Sequence, residues 1–284
     1  MTINIVTVNV SQTIAPAPSQ LQRTGALISQ GATSLAVGSS SLLYQFSDLA
    51  ALLAPAVNLS NLEWAAGVVT ATSATAHGIP VGQSVDIVVT GCTPTGYNGS
   101  YTATSVDNVT LTYPLAVNPG TITVEGEFIL GSQAELIAMA TTFFAQGNAN
   151  SVYVLELGAG DAAEGVTALE GYMADPTLRF YAYLLPKSWA NEATAITMAR
   201  NNEATTAMVY FWVTTTLLNY ANWTNIKSVI MMVQEASAPA TEFSLAGPLY
   251  KALSYNPSNT NKVAPFAFQF LSGVTALVSS KATQ

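Results

Sequence analysis

The sequence predicts an α/β (α+β) core with a mixed, largely parallel sheet, an all-β module of sandwich or barrel type inserted into it, and an extended N-terminal arm. Three observations carry this reading. From Gly131 onward, apolar strand-like runs alternate with helix-like segments, the pattern of strands joined by crossover helices. Between Trp64 and Phe128 the chain is short Val- and Thr-rich runs punctuated by Gly, Pro and Asn, with no helical period. The first ten residues, MTINIVTVNV, are strand-like with nothing before them to pair with. These textures divide the chain into an arm and tether at 1–20, a discontinuous core at 21–62 and 129–284, and an inserted β-domain at 63–128.

The arm places Ile3, Ile5, Val6, Val8 and Val10 among small polar residues, and IAPAPSQ follows as a stiff tether. Ordering about nine residues costs ~9–18 kcal/mol, and burying five aliphatic side chains returns ~7–15 kcal/mol. The near cancellation predicts an arm that holds its shape only when a sheet edge supplies backbone hydrogen bonds. The segment SLLYQFSDLAALLAPAV reads as a helix with Ser47 as N-cap, continuing into the α/β part beyond the insertion.

After the β-domain, SQAELIAMATTFFAQG predicts a helix opened by a capping box of Ser132 and Glu135. DAAEGVTALEGYMA predicts a second, with Asp161 and Glu164 in the same roles, and NEATAITMARNNE a third. Strands are expected to begin near Val152, Arg179, Ala207 and Ser228, far enough apart for crossovers. TEFSLAGPLYKAL reads as a further helix, with Gly247-Pro248 either kinking it or marking a new start.

Composition excludes several classes. Half of the 284 residues are hydrophobic, so a sizeable core is available, yet only 8% are charged against ~25% in an ordinary domain. A surface so short of charge suits a chain that buries much of its outside in an assembly. No apolar run approaches ~18 residues, which argues against a membrane span, and the start carries no basic stretch of a secretory signal. A net charge of −8 with eight Lys and Arg in all offers little to a phosphate backbone, so no nucleic-acid partner is expected. The lone Cys92 excludes an intrachain disulfide, and with the lone His77 it leaves little for zinc.

Five features bear on chemistry. Gly158-Ala159-Gly160-Asp161-Ala162-Ala163 follows a strand and opens a helix, as in a dinucleotide-binding turn. The next strand ends in Pro186-Lys187 with no carboxylate, and Asp175 comes too early, so a plain strand-to-helix turn capped by Asp161 is the preferred reading. His77 sits in a turn of the β-domain with no Ser-His-Asp set around it. Cys92 reads as a small buried or loop residue, with only one histidine to activate it. Glu125 and Glu127 alternate as a solvated strand face does, and Tyr210-Phe211-Trp212 reads as core. No catalytic, cofactor-binding or metal-ligating residue is therefore assigned, and the chain is not read as an enzyme.

Several segments together resemble the contractile tail sheath proteins of phages. INIVTVNVSQTIAPAPSQLQRTGALISQG resembles the sheath N-terminus, FFAQGNANSVYVLELG its helix and first core strand, and AGPLYKALSYNPSNTNKVAPFAFQFLSGVTAL the stretch after its α/β layer. TATSATAHGIPVGQSVDIVVTGCTPTGYNGSYTATSV is similar to a small β-domain of phage structural proteins. The resemblance implies a virion subunit made in the host bacterial cytoplasm. It would assemble with copies of itself around a tail tube protein and contract to drive the tube into the host envelope. It also implies that Ile3, Ile5, Val6, Val8 and Val10 donate a strand to a neighbouring subunit. Sheath proteins continue with further core and a C-terminal arm beyond the point where this chain stops at SSKATQ, so the chain reads as a truncated form or a short member. The rival readings are another tail component, such as a tube or baseplate protein, and a soluble dinucleotide-binding enzyme.

Overall fold

A computed structural model of the chain describes residues 24–204, 209–234, 242–254 and 271–274. The arm residues Ile3, Ile5, Val6, Val8 and Val10 lie outside them. The described residues form an α+β fold with a mixed six-stranded sheet and a closed six-stranded antiparallel barrel. No helix among them is long and apolar enough to cross a membrane.

The mixed sheet is built on a strand that sequence reasoning passes over. β1, Gly25–Ser29, is buried along its whole length and pairs in parallel on both sides. One neighbour is β9, Val152–Glu156, and the other is β10, Ala182–Leu184. β11, Tyr210–Thr215, and β12, Val229–Val233, extend the sheet in parallel beyond β10. β2, Ser40–Leu43, closes the other side antiparallel to β9. The order is β12-β11-β10-β1-β9-β2. Numbered among themselves along the chain, the five parallel strands run 2-1-3-4-5, a doubly wound order.

Helices cover both faces. α2, Gly131–Phe144, presents Leu136, Met139, Ala140 and Phe143 at helical spacing. It packs with α5, Ala246–Leu253, over one face, where Leu27, Val154, Leu184 and Trp212 point. α3, Ala162–Ala174, and α4, Ala193–Asn202, cover the other, over Ile28, Leu155, Tyr183 and Phe211. Phe211 and Trp212 therefore serve opposite cores, as alternation along a strand requires. α5 begins at Ala246, so Pro248 falls in its first turn, where a missing amide costs nothing.

The helix expected across SLLYQFSDLAALLAPAV is mostly absent. Ser40–Leu43 is strand β2, and only Ser47–Ala50 is helical (α1), with Phe46 rather than Ser47 at the N-cap and no side-chain cap bond. The apolar residues at helical spacing serve a different geometry: Leu42 and Leu43 face Tyr153 and Val152 across the β2–β9 ladder, and Leu49 reaches the core.

The barrel runs β3-β4-β7-β6-β5-β8. Its strands are β3 Val57–Ala65, β4 Val68–Ser73, β5 Ser84–Thr90, β6 Gly99–Ser105, β7 Thr110–Pro114 and β8 Glu127–Leu130. It closes where Val57 pairs with Phe128, so β3 already includes Val57–Leu62. Val69 and Ala71 on β4, Ile87 and Val89 on β5, and Leu111 and Tyr113 on β7 alternate into its interior. The β3–β4 hairpin turns on Ala66 and Gly67, both at positive φ, the geometry that matches strand twist in a two-residue loop.

Candidate functional site

In a doubly wound sheet, connections leave for opposite faces on either side of the first strand, and a crevice opens at the carboxyl ends. A cleft of about 650 Å³ lies there. Gln30 follows β1, Asp161 follows β9, and Lys187 follows β10. Ser132 and Glu135 on α2 form a further wall. The barrel roofs the cleft with β5 and β6, including Asp86, and Gln234 and Glu242 complete it.

Gln30 ties this edge together. Its Nε2 donates to the Asp161 carbonyl at 2.8 Å, its Oε1 accepts from Trp189 Nε1 at 2.7 Å, and its own carbonyl accepts from Ser132 Oγ at 2.7 Å. The expected capping box is thus not formed. Leu130 is the N-cap of α2 without a side-chain bond, Ser132 is engaged by Gln30, and a Glu135 carboxylate oxygen instead accepts the Lys187 amide at 2.6 Å. Burial pushes the Glu135 carboxyl up to about 7; the Lys187 amide and ammonium hold it back, and Asp86 adds to the rise.

The most heavily bonded carboxylate is one that sequence reasoning did not single out. Glu156, at the end of β9, is 1% exposed. It accepts from Ser29 Oγ at 2.6 Å, Thr33 Oγ1 at 2.7 Å, and the amides of Gly31 at 2.6 Å, Thr33 at 3.1 Å and Gly158 at 2.8 Å. Five donors converging on one carboxylate make a clamp that joins β1, β9 and the loop after each. The signal was an acid inside the otherwise apolar strand VYVLEL.

The Gly158-Ala159-Gly160 turn follows from this clamp. Gly158 needs its glycine, at φ +87, while a Cβ on Gly160 would meet the movable end of the Glu164 side chain. Asp161 caps α3 by accepting the Glu164 amide at 2.9 Å. It thereby uses one of the helix's first amides, which a pyrophosphate would otherwise engage. His77 is buried, its Nδ1 accepting the Ile79 amide at 3.1 Å. Nearby Asp107 is held below the usual carboxylate range by the Val109 amide and by Thr110. Cys92 is buried and donates to the Glu125 carbonyl at 2.9 Å. Burial and then the Glu125 charge push its thiol up, away from the nucleophilic thiolate. Glu125 is half-buried and Glu127 exposed. Among the described residues no group of three or more His, Cys, Asp or Glu could hold a metal ion.

Comparison of the chain with protein-family models finds no match, and comparison with curated proteins finds none either.

Proposed function

We propose that the protein is a structural subunit of a contractile phage tail sheath. It assembles with copies of itself around a tail tube and uses its arm to link neighbours while rigid bodies rotate. The observation that carries this reading is the outer edge of the mixed sheet. Among the described residues β12 pairs only with β11, and its sequence VIMMV has no charge or proline of the kind that guards an edge. Ile230 and Met232 lean on one core and Val229 on the other, so a strand added here is covered on both faces. The arm suits such a place. In an extended chain Ile3 and Ile5 fall on one side and Val6, Val8 and Val10 on the other. The low charge content of the sequence supports the same reading.

Two variants of the full chain test it. Removing residues 2–10 should leave the melting temperature of the isolated subunit unchanged and abolish ordered tubes in electron micrographs. Met231→Lys on β12 should do the same. Tubes that form normally from both variants would exclude strand donation to this edge, and with it the sheath reading in this form.

The cleft at the switch point favours a second reading, a binder of a small ligand. Saturable micromolar binding of a nicotinamide cofactor in a fluorescence titration would bring that reading to the front.

A further inference from the structure

Charge is unevenly spread over the molecule. Residues 54–130, the barrel and its connections, include five carboxylates and no Lys or Arg. Three of these acids share one surface. β3, β8 and β5 are consecutive in the barrel. Their inward residues Leu62, Phe128 and Ile87 leave Glu63, Glu127 and Asp86 on the outside, all exposed. Between the acids, Val88 and Ile129 pair side by side on the same outer face, both half-buried. In that ladder Ile87 pairs with Leu130, so Asp86 lies opposite Gly131, at the junction of the barrel and the α/β unit. There the acidic surface runs on into the cleft, where Glu135, Asp161 and Glu242 face Lys187 alone.

The cations gather at the other end. Among the described residues they are, besides Lys187, only Arg179, Arg200, Lys227 and Lys251. Arg179 comes just before β10, Arg200 is in the last turn of α4 on the way to β11, and Lys227 comes just before β12. Lys251 is in the last turn of α5, close to the start of β1, since a Cβ on Gly25 would meet the Leu253 side chain. The four therefore surround the amino ends of the parallel strands, and among the described residues none of them forms an ion pair. The acids on that side are Glu170, Asp175 and Glu203, and the Glu203 carboxylate is taken up by the Lys227 amide. Tyr181 and Tyr210, half-buried with ring centroids 5.1 Å apart, give this end an apolar centre.

We propose that copies of the chain associate head to tail, the acidic outer face of β3, β8 and β5 on one copy docking against the cationic amino-end face of the sheet on the next. This contact rests on the reading of the chain as a self-assembling subunit, but not on strand donation by the arm. Asp86 stands at the carboxyl ends of the parallel strands and the four cations at the amino ends. Strands of five residues hold the two ends about 16 Å apart, so the faces pair between copies and not within one. Each copy can use both at once, and a heterologous contact of this kind propagates as an open chain. Opposite charge aligns the two faces, and the apolar centre of each lies within its ring of charge.

The test reverses each face in the full chain. Glu63→Lys with Glu127→Lys makes the barrel face basic, and Arg200→Glu with Lys227→Glu makes the amino-end face acidic; all four positions are exposed. Light scattering should show association of the unchanged chain at about 50 mM salt and its weakening by about tenfold or more at about 500 mM. Either double variant alone should lose association by at least about tenfold at the lower salt, because like charges meet. An equimolar mixture of the two should recover it, because every face then finds one of opposite sign. Removal of residues 2–10 should leave it in place, which separates this contact from tube formation by strand donation. Association that ignores salt, a double variant that associates as the unchanged chain does, or association lost with the arm would each overturn the proposal. So would a mixture that fails to recover although both variants melt as the unchanged chain does.

Discussion

The barrel and the mixed sheet solve the same problem in opposite ways. Every strand of the barrel has two bonded neighbours, because β8 returns to β3 and leaves no edge. Among the described residues the mixed sheet stays open, with a short serine-bearing strand at one end and the apolar β12 at the other. The treatment of buried carboxylates differs as well. The sheet buries a carboxylate, Glu156, and surrounds it with five donors. The barrel buries no carboxylate among the described residues, and each region leaves a buried hydroxyl without a hydrogen-bond partner there, Tyr113 in the barrel and Thr214 on β11. A closed barrel holds its shape through its complete ladder and apolar interior, whereas an open sheet that must hold loops at its carboxyl edge relies on a polar clamp.

That contrast can be broken most sharply at Glu156. Glu156→Ala strands several buried donors at once and should cost about 3–5 kcal/mol. Denaturant unfolding followed by tryptophan emission in a Trp64→Phe background reads the loss, because the remaining Trp189, Trp212 and Trp223 are all buried in the α/β unit. Amide hydrogen exchange along β5 and β6 follows the barrel and should change less. Equal loss in both signals would mean that the two regions unfold as one.

The junction should show an intermediate effect, read through pH. The folded Glu135 carboxyl titrates at about 7, above its unfolded 4.5. The folded state therefore binds more protons between these values, and stability falls as pH rises through that window and is flat above it. The full shift corresponds to at most ~3 kcal/mol, and about 1–2 once the partial exposure of the side chain is allowed for. Glu135→Gln should remove this slope from a series of denaturation midpoints; a slope that survives must come from other groups.

The smallest effect is expected inside the barrel. Tyr113→Phe removes a hydroxyl that bonds to nothing described, so stability should stay within about 0.5 kcal/mol or rise by up to ~1. A larger loss would show that the hydroxyl has a partner and that the barrel, too, depends on polar ties.

The legibility of the two regions followed the same divide. The barrel announced itself through turn residues and Val/Thr alternation, signals that lie within a few residues of each other. Its first hairpin was less plain, since Ala66-Gly67 stands where Asn-Gly is the usual mark. The helices α2 to α5 and strands β9, β11 and β12 were readable from periodicity. β1 was not, because GALIS is short and its pairing partners lie far along the chain. The barrel also separates it from α2, and so hides the strand–helix–strand unit to which it belongs. Strand β2 was read as helix because Leu42, Leu43, Phe46 and Leu49 fit a helical stripe, and only pairing with β9 decides otherwise. At the cleft, Ser132 and Glu135 matched a local capping pattern, but longer-range partners, Gln30 and Lys187, claimed both side chains. The clamp on Glu156 was invisible for the same reason: Ser29 lies 127 residues away.

The insertion of the barrel between β1 and its partners also fixes an order of events during synthesis. β1 and β2 find their sheet neighbours only in strands from Val152 onward, whereas the last strand of the barrel ends at Leu130. A growing chain therefore completes the barrel while the strand that will become the centre of the sheet is still unpaired. Once formed, the barrel brings Val57 beside Phe128 and shortens the loop that β1 must close to about half. That shortening is worth only ~0.6 kcal/mol per halving, too little to matter for final stability. Its consequence lies in timing: the first stretch of the core to leave the ribosome waits longest for its partners, with a finished barrel tethered beside it.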